Sequence, residues 1–465
     1  MSISIHRLSL RSSGLIVFES LLIVCGVATS TFLLKGPEGW QAFLSDGGLV
    51  KALLVTAVCQ LCLYYGDLYD LSGLRDQRDL FVRLLRALGA TAIILAAIYS
   101  LFPTLIIARG VVLYATGIVV LLVFGWRGAF DWLSTHASPS EKLLIVGTGA
   151  AAIGLARELF DRRRELGVEI VGFVASDACP VGTTGLNPGI LGTVDDIPSI
   201  VRERGVHRVV VSLADARGKL PIDKLLEIKL DHGILFDHLA SVYEQYTGKI
   251  AIENLRPSWL VFSGGFRKTR QLKATKRLCD LAAAIIGLII LSPVMLIVAA
   301  LIKITSPGPV LYAQRRVGQH GRLFTIHKFR SMRTDAEAAT GAVWARPNDD
   351  RITKLGRLLR LTRLDELPQL WNVFKGDMSL IGPRPERPEF VETLTKAIPF
   401  YAERHVIRPG LTGWAQVRYS YGASVEDTME KLQYDLYYLK NMSIALDVVI
   451  VFETLKTVIL RRGAA

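Results

Sequence analysis

The segment RLDELPQLWNVFKGDMSLIGPRPERPE, residues 363 to 389, is the most informative stretch of this 465-residue chain. Pro368 lacks an amide N–H and clashes with a preceding helical turn, so it predicts the first turn of a short helix. The acidic pair Asp365 and Glu366 is therefore expected at or just before that helix start, where unpaired N–H groups and the helix dipole favour anions. The stretch indicates chemistry on a phosphate group.

The two carboxylates are expected to perform separate tasks. Adjacent side chains on a helix point about 100° apart, so a proton shared between Asp365 and Glu366 is disfavoured. One carboxylate could attack a phosphoryl group while the other holds Mg2+ together with substrate phosphate oxygens. The alternative is an acidic pair that only stabilises its helix, and the basic residues around it favour the chemical interpretation.

Basic residues accompany the acidic pair on both sides. They are Lys328, Arg330, Arg333, Arg351, Lys354, Arg357 and Arg360 upstream, and Arg384 downstream. Pro383 and Pro385 restrict the backbone around Arg384, which reduces the entropy lost when its guanidinium binds a ligand. Such arginines suit bidentate binding of a diphosphate. For Lys354 and Arg357, a basic face near a membrane is an equally good interpretation.

These motifs resemble the bacterial sugar transferase family, and within it the large monotopic polyprenyl-phosphate (undecaprenyl-phosphate) phosphoglycosyl transferases of exopolysaccharide biosynthesis. The segments that carry the resemblance, in the family's order, are KFRSM, LDELPQL, GDMSLIGPRP, PGLTGWAQV and YDLYYLKNMS. The resemblance is close from Leu272 onward and looser in the N-terminal part. Arg363 departs from the pattern, because many members have a serine there, and this leaves the sugar preference open.

The resemblance implies a two-step exchange. Asp365 would be the nucleophile that attacks the β-phosphate of a UDP-sugar and releases UMP, and Glu366 would be the Mg2+ ligand. Undecaprenyl phosphate would then attack the adduct, giving an undecaprenyl-diphosphate-sugar for exopolysaccharide or capsule synthesis. Arg360, Arg384 and Asp435 would complete the site.

Further residues are predicted to bind substrate. Lys328 and Arg330 belong to the basic segment HKFRSMRTD and suit phosphate oxygens. Arg408 and Gln416, in HVIRPGLTGWAQV, are candidates for contacting the nucleotide or the sugar. Trp414 is equally consistent with a place in the core.

The composition predicts a membrane protein. The chain is 51% hydrophobic and has a mean hydropathy of +0.35, which is too apolar for an ordinary soluble protein. A net charge of +13 is compatible with nucleic acid or with anionic lipid. The long apolar segments favour a lipid bilayer as the partner, and no nucleic acid is expected.

Residues 1–135 are predicted to form a block of four transmembrane helices. The apolar stretches are 14–34, 49–65, 84–107 and 110–126. Basic residues crowd the second loop at Arg75, Arg78, Arg83 and Arg86, so both ends of the block should face the cytoplasm. The expectation is a multi-pass protein of the bacterial inner (cytoplasmic) membrane.

Residues 141–266 alternate between strand and helix patterns, which predicts a Rossmann-like α/β module with a parallel sheet. Gly147 and Gly149, with Asp177 near the end of the second strand, resemble a dinucleotide fingerprint. Glycines there also serve plain strand-to-helix packing. No tyrosine has lysine four residues on, which disfavours dehydratase or epimerase chemistry. The preferred role is sensing or assembly, for which a homodimer through this module is one form.

Residues 272–465 are predicted to form a mainly helical catalytic domain that begins with an apolar helix at 279–302. The basic segment 266–277 before it should anchor at a membrane surface. Ser292 and Pro293 interrupt the apolar run and predict the hinge of a re-entrant helix. A straight, kinked span is the alternative. The re-entrant form keeps the catalytic domain on the cytoplasmic face, where UDP-sugars and Mg2+ are supplied.

The sequence leaves two other functions to compare with sugar-phosphate transfer. A lipid-carrier transferase of the polytopic type is disfavoured, because the catalytic motifs lie in polar sequence after a single apolar segment. The remaining alternative is a membrane scaffold or nucleotide-sensing protein without transferase activity. Retention of Asp365, Glu366 and Arg384 argues against it.

Overall fold

The structure is a computed structural model that describes residues 10–45, 47–69, 77–106, 111–136, 141–175, 188–212, 222–252, 264–336, 349–419, 422 and 424–460. The chain divides into two compact units, and the division falls between Leu239 and Ala240. The first unit holds the N-terminal apolar helices and a parallel sheet. The second unit holds the acidic pair.

The N-terminal block contains the long helices α1 (Leu10–Ser45), α2 (Gly48–Tyr65), α3 (Gln77–Leu101) and α4 (Val111–His136). The stretches Gly14–Leu34, Gly48–Tyr65 and Leu80–Leu101 are long and apolar enough to cross a bilayer. The apolar part of α4, Tyr114–Ala129, is shorter. Apolar helices near the N-terminus are therefore confirmed, and the number of membrane crossings stays a prediction.

A buried ion pair joins α1 and α4. Arg127 Nε lies 2.7 Å from Glu19 Oε1, and the two side chains are 4% and 0% exposed. The Tyr69 hydroxyl, just beyond α2, donates to the same carboxylate at 2.6 Å. Because a charge inside a membrane block is costly unless it is paired, this contact stabilises the packing of the helices. Sequence analysis missed it, since the partners are 108 residues apart.

A parallel sheet forms the rest of the first unit. Its strands are β1 (Glu141–Val146), β2 (Val168–Ala175), β3 (Ile190–Thr193), β4 (Arg208–Val211) and β5 (Leu235–His238), in the order β3-β2-β1-β4-β5. The connecting helices are α5 (Ala150–Asp161), α6 (Arg163–Leu166), α7 (Ile197–Arg204) and α8 (Ile222–His232). This arrangement confirms the Rossmann-like prediction.

Helix α9 (Leu239–Thr247) belongs to the second unit, except for its first residue, Leu239. Glu244 Oε2 lies 2.6 Å from Lys440 Nζ, and the Gly248 carbonyl accepts a hydrogen bond of 2.8 Å from Trp414 Nε1. Ile250 is buried in the same core as Trp414. Residues 240–252 thus pack with the C-terminal unit, although they were predicted within the module 141–266. The predicted domain bounds stay a prediction.

Helix α10 (Arg270–Thr305) is 36 residues long and contains Pro293. The Ser292 hydroxyl donates to the Ile289 carbonyl at 2.8 Å. In a regular helix that carbonyl would accept the N–H of residue 293, which proline lacks, so Ser292 replaces the missing bond. The helix is long and apolar enough to cross a membrane. The re-entrant turn at Ser292 and Pro293 stays a prediction.

The remaining elements surround the acidic pair. They are β6 (Leu311–Val317), β7 (Leu323–Phe329), α11 (Lys354–Leu361), α12 (Gln369–Lys375), β8 (Ser379–Ile381), α13 (Pro388–Ala397), β9 (Gly410–Thr412), α14 (Trp414–Arg418), α15 (Val425–Asn441) and α16 (Ile444–Ile459). β6 and β7 pair antiparallel, and β8 and β9 pair parallel. The mainly helical prediction is confirmed, and these two small sheets were not predicted.

Candidate active site

The acidic pair lies in a tight turn that leads into α12. Arg363 has a φ of 57°, in the left-handed region, and a single 3-10 turn follows from Leu364 to Glu366. Pro368 directly precedes the helix, so its predicted place at the helix start is confirmed. Asp365 and Glu366 are 7% and 9% exposed. The turn therefore holds two carboxylates away from bulk water.

Glu366 is held by two cations. Arg384 Nη2 lies 2.6 Å from Glu366 Oε1, and Lys328 Nζ lies 3.3 Å from the same oxygen. Arg384 also donates through Nη1 to Oε2, at 3.5 Å. Burial opposes ionisation of Glu366, but the charges of Arg384 and Lys328 prevail and hold its pKa below the usual value. Glu366 is therefore a carboxylate at neutral pH.

Asp365 has a different environment. Its Oδ1 atom is buried and finds no hydrogen-bond donor within the part of the chain that the structure describes. Burial, followed by the negative charge of Glu366, raises the pKa of Asp365, while Lys328, Arg360 and Arg384 oppose the rise. A buried oxygen without a hydrogen-bond donor lowers the stability of the folded state, because its lost contact with water is not replaced. The role of Asp365 as the nucleophile stays a prediction.

Arg384 projects from a short segment between β8 and α13 whose backbone is bonded on several sides. The Gly382 N–H donates to the Thr412 carbonyl at 2.9 Å, and the Gly410 N–H donates to the Pro383 carbonyl at 2.9 Å. The close approach requires glycine, because a Cβ at Gly382 would collide with the carbonyl of Arg408. The parallel pair β8 and β9 therefore places Arg384 opposite the acidic turn.

Two arginines that the sequence analysis did not single out hold adjacent carbonyls of this segment. Arg404 Nη2 donates to the Arg384 carbonyl at 3.1 Å, and Arg316 Nη1 donates to the Pro385 carbonyl at 3.0 Å. Both contacts are long-range, separated by 20 and 69 residues. No local sequence pattern marks them, since their partners are backbone atoms of another element.

Asp435 was expected to complete the site, and the structure places it behind Arg384. Its Oδ2 lies 2.7 Å from Arg404 Nη2, and the two side chains are 2% and 6% exposed. Burial raises the pKa of Asp435, and Arg404 opposes that rise. Through Arg404, Asp435 is joined to the segment that carries Arg384.

The other predicted substrate-binding residues are distributed around this centre. Arg330 donates to the carbonyls of Pro307 and Ser306 at 2.8 and 2.9 Å, which fastens the end of α10. Arg360 donates through Nε to the Ser331 hydroxyl at 2.9 Å, and its charge acts on Asp365. The structure therefore brings Lys328, Arg360 and Arg384 to the acidic pair, and the predicted role of Arg330 in binding substrate stays a prediction.

Arg408 and Gln416 lie near the β8 and β9 pair. Arg408 is half-buried before Pro409, whose carbonyl accepts the Ser379 N–H at 2.8 Å. Gln416 Nε2 donates to the Leu411 carbonyl at 3.4 Å, and its Oε1 is buried without a partner in the described residues. Their predicted role in binding nucleotide or sugar stays a prediction.

The acidic pair fits a magnesium ion that is shared with a substrate. The described residues contain no group of three or more His, Cys, Asp or Glu side chains arranged to hold a metal. The predicted protein ligand is the carboxylate of Glu366, and this role stays a prediction. One or two carboxylates plus phosphate oxygens and water is the set that Mg2+ ordinarily takes in phosphate chemistry.

The glycines of the Rossmann-like module have a structural explanation. Gly147 has a φ of 111°, and a Cβ there would approach Ser212 to 3.3 Å. Gly149 directly precedes α5 in an extended conformation. Asp177 lies outside the described residues. The turn explains the need for glycine at 147, and cofactor binding by Gly147, Gly149 and Asp177 stays a prediction.

Two family descriptions match this chain. Residues 271–461 match the bacterial sugar transferase family, and residues 65–233 match a CoA-binding domain. The first match contains the acidic pair and every cation around it. The second includes the GTG turn and most of the parallel sheet.

Named relatives agree with the first match. The UDP-glucose:undecaprenyl-phosphate glucose-1-phosphate transferases of Xanthomonas campestris pv. campestris and Escherichia coli (strain K12) are 33% and 32% identical, each over 70% of this chain and 68% of the relative. The UDP-N-acetylgalactosamine-undecaprenyl-phosphate N-acetylgalactosaminephosphotransferase of Aeromonas hydrophila is 46% identical over 49% of this chain and 53% of its own length. This chain therefore belongs to the bacterial sugar transferases, and its match spans about half of the Aeromonas protein.

Proposed function

We propose that this protein transfers a sugar 1-phosphate from a UDP-sugar to undecaprenyl phosphate, giving an undecaprenyl-diphosphate-sugar and UMP. The observation that carries the proposal is the contrast within the acidic pair. Glu366 is neutralised by Arg384 and Lys328, whereas Asp365 has a buried oxygen that finds no donor among the described residues. Three relatives whose names state that they act on undecaprenyl phosphate support the same reaction.

In the first step, Asp365 acts as the nucleophile. One of its oxygens attacks the β-phosphorus, and the bond from that phosphorus to the oxygen bridging the two phosphates breaks. UMP leaves with the bonding electrons, and the sugar phosphate remains on Asp365. Burial and the charge of Glu366 raise the pKa of Asp365, whereas the positive charges of Lys328, Arg360 and Arg384 favour the ionised form that the attack requires.

In the second step, a phosphate oxygen of undecaprenyl phosphate attacks the same phosphorus. The bond to Asp365 breaks and the carboxylate is restored. Lys328, Arg360 and Arg384 supply positive charge around the reacting phosphorus in both steps, which is the main contribution that proteins make to phosphoryl transfer. Glu366 keeps Arg384 and Lys328 in place.

Glu366 would hold Mg2+ together with phosphate oxygens of the donor. When bound, the ion supplies charge that favours departure of UMP. One protein carboxylate, completed by phosphate oxygens and water, is within the one or two that Mg2+ takes at such sites.

The protein is proposed to work in the bacterial inner membrane with its catalytic domain on the cytoplasmic face. The apolar helices α1 to α4 and α10 support membrane association. The reaction would start an exopolysaccharide or capsule, and one relative of similar sequence is named an exopolysaccharide production protein. A homodimer through the Rossmann-like module belongs to the same proposal.

The test is the intact mass of the purified protein after incubation with individual UDP-sugars, without lipid acceptor. We expect a mass increase equal to one sugar phosphate, with UMP released in equal amount, and loss of both in Asp365→Asn. A matched control is Glu392→Gln, since that carboxylate is exposed on α13 and pairs only with Lys396. An adduct that persists in Asp365→Asn would refute the assignment.

The same experiment distinguishes a transferase from the alternative, a scaffold or nucleotide sensor. A sensor would bind the nucleotide without a mass change and without release of UMP. Addition of undecaprenyl phosphate should discharge the adduct in the transferase.

A further inference from the structure

We propose that Arg404 is a positioning residue for the transfer reaction: it is fixed by Asp435 and Tyr401, and it sets the place of Arg384 by holding its backbone carbonyl. This inference rests on the proposed function, because it concerns the same site. It also assigns Asp435 a role behind the site instead of contact with substrate.

Hydrogen bonds and ion pairs join five residues in one network. Arg404 Nη1 donates to the Tyr401 hydroxyl at 2.7 Å, and Nη2 lies 2.7 Å from Asp435 Oδ2. Nη2 also donates to the Arg384 carbonyl at 3.1 Å. Arg384 in turn reaches Glu366 at 2.6 Å. The guanidinium of Arg404 is therefore one layer behind the guanidinium that faces the acidic pair.

Burial makes this arrangement specific. Arg404, Asp435 and Tyr401 are 6%, 2% and 1% exposed. A buried charge must be paired and hydrogen-bonded, so neither Arg404 nor Asp435 can turn away from the other without a large desolvation cost. The planar fork of arginine lets one side chain meet a hydroxyl, a carboxylate and a carbonyl together, which lysine cannot reproduce.

The segment that carries Arg384 needs such a support. Pro383 and Pro385 flank Arg384 and supply no backbone N–H, so the segment is fixed largely through its carbonyls. Arg404 holds the Arg384 carbonyl, and the Gly410 N–H holds the Pro383 carbonyl. A shift of this backbone would move the guanidinium away from Glu366 and from a bound diphosphate. A displacement of about 1 Å can lower a rate about 100-fold.

Two measurements test the inference, and the first does not depend on turnover. Amide hydrogen exchange is compared in the wild-type protein, Arg404→Gln, Asp435→Asn and Tyr401→Phe. We expect faster exchange at the amides of Val317, Gly382 and Gly410, whose hydrogen bonds fix this segment, in each variant, with the helix α11 unaffected. Lys396→Gln is the control, because Lys396 lies on the surface of α13 and is 75% exposed. Unchanged exchange at these three amides would overturn the inference whatever the activity.

The second measurement is a double-mutant cycle on the rate of adduct formation from a UDP-sugar. Arg404→Gln should lower the maximal rate of adduct formation about 100-fold. The UDP-sugar concentration that gives the half-maximal rate should change less, because Lys328 and Arg360 still supply charge for binding the substrate. The double variant Arg404→Gln with Asp435→Asn should be no slower than the slower single variant. A multiplied loss would show that Asp435 acts on the substrate directly and would overturn the inference.

Tyr401→Phe keeps the experiment decisive if Arg404→Gln fails to fold. It removes one hydroxyl from the chain and leaves the ion pair in place. We expect a smaller fall in the maximal rate of adduct formation, accompanied by faster exchange at Gly410. Wild-type rates and exchange in this variant would refute the role of the cluster. Lack of an adduct in the wild-type protein would refute the proposed function and leave the exchange result to decide on Arg404.

Discussion

The carboxylate of Asp280, in α10, accepts the backbone N–H of Leu380, in β8, at 3.0 Å. Asp280 is 4% exposed, and β8 leads directly into the segment that carries Arg384. One turn earlier in α10, Arg277 donates to two carbonyls at the end of α12, at 2.7 and 2.8 Å. The polar end of the apolar helix is therefore bonded to the elements on both sides of the acidic pair.

Asp280→Ala should destabilise the second unit and slow adduct formation. The change leaves the Leu380 N–H without that acceptor, at a cost of about 1–3 kcal/mol. Asp280→Asn retains an oxygen of the same shape and should lose less. The measurements are the midpoint of thermal unfolding and the rate of adduct formation. Equal behaviour of the Ala and Asn variants would contradict the importance of the hydrogen bond.

Glu366→Gln should lower activity severely and raise the Mg2+ concentration needed for half-maximal rate. The amide lacks the negative charge that pairs with Arg384 and Lys328 and that would bind Mg2+. The rate is measured against Mg2+ concentration after treatment with a chelator, and the wild-type protein should lose activity on chelation and regain it with Mg2+. A Mg2+ dependence that is identical in both proteins would exclude Glu366 as a ligand.

The stability of the second unit should fall on acidification because of His405. Burial, and after it the charge of Arg404, lowers the pKa of this imidazole to about 4. The unfolded chain takes up the proton near the usual pKa of about 6.5, so the stabilising contribution is complete above that pH and is lost as the pH falls toward 4. In His405→Gln, the midpoint of thermal unfolding should change less between pH 7 and pH 5 than it does in the wild-type protein. An equal change in both proteins would show that other groups dominate the pH dependence of stability.

The re-entrant arrangement of α10 predicts that both ends of the helix lie on one side of the membrane. Gln271 and Lys303 are exposed near the two ends. In a background without reactive cysteines, Gln271→Cys and Lys303→Cys should both be protected from an impermeant thiol reagent added outside the cell. Both should react in inverted vesicles. Labelling of only one of them from outside would establish a complete crossing.

Local signals explain what sequence reasoning predicted well. Pro368 located the helix start, and the alternation of strand and helix patterns from residue 141 predicted strands that the structure contains at β1, β2 and β4. These features depend on short segments whose conformation is decided by their own residues. Lys328 and Arg384 were expected near the acidic pair because they belong to the basic motifs around it, and the structure places both beside Glu366.

Contacts between distant segments explain what was missed. Arg404 donates to a backbone carbonyl 20 residues away, and Asp280 accepts from an amide 100 residues away. Both partners are backbone groups, which every residue has, so no sequence pattern could reveal these contacts. The contacts of Arg330 with the carbonyls at the end of α10 were likewise not foreseen, and its predicted role in binding phosphate stays a prediction.

The hydrogen bond from the Trp414 indole to the Gly248 carbonyl has a practical consequence for dissecting this protein. A shortened version that starts at residue 272, where the recognised motifs begin, would leave the indole N–H without its acceptor and would remove Ile250 from the core around Trp414. One that starts at residue 239 would keep both.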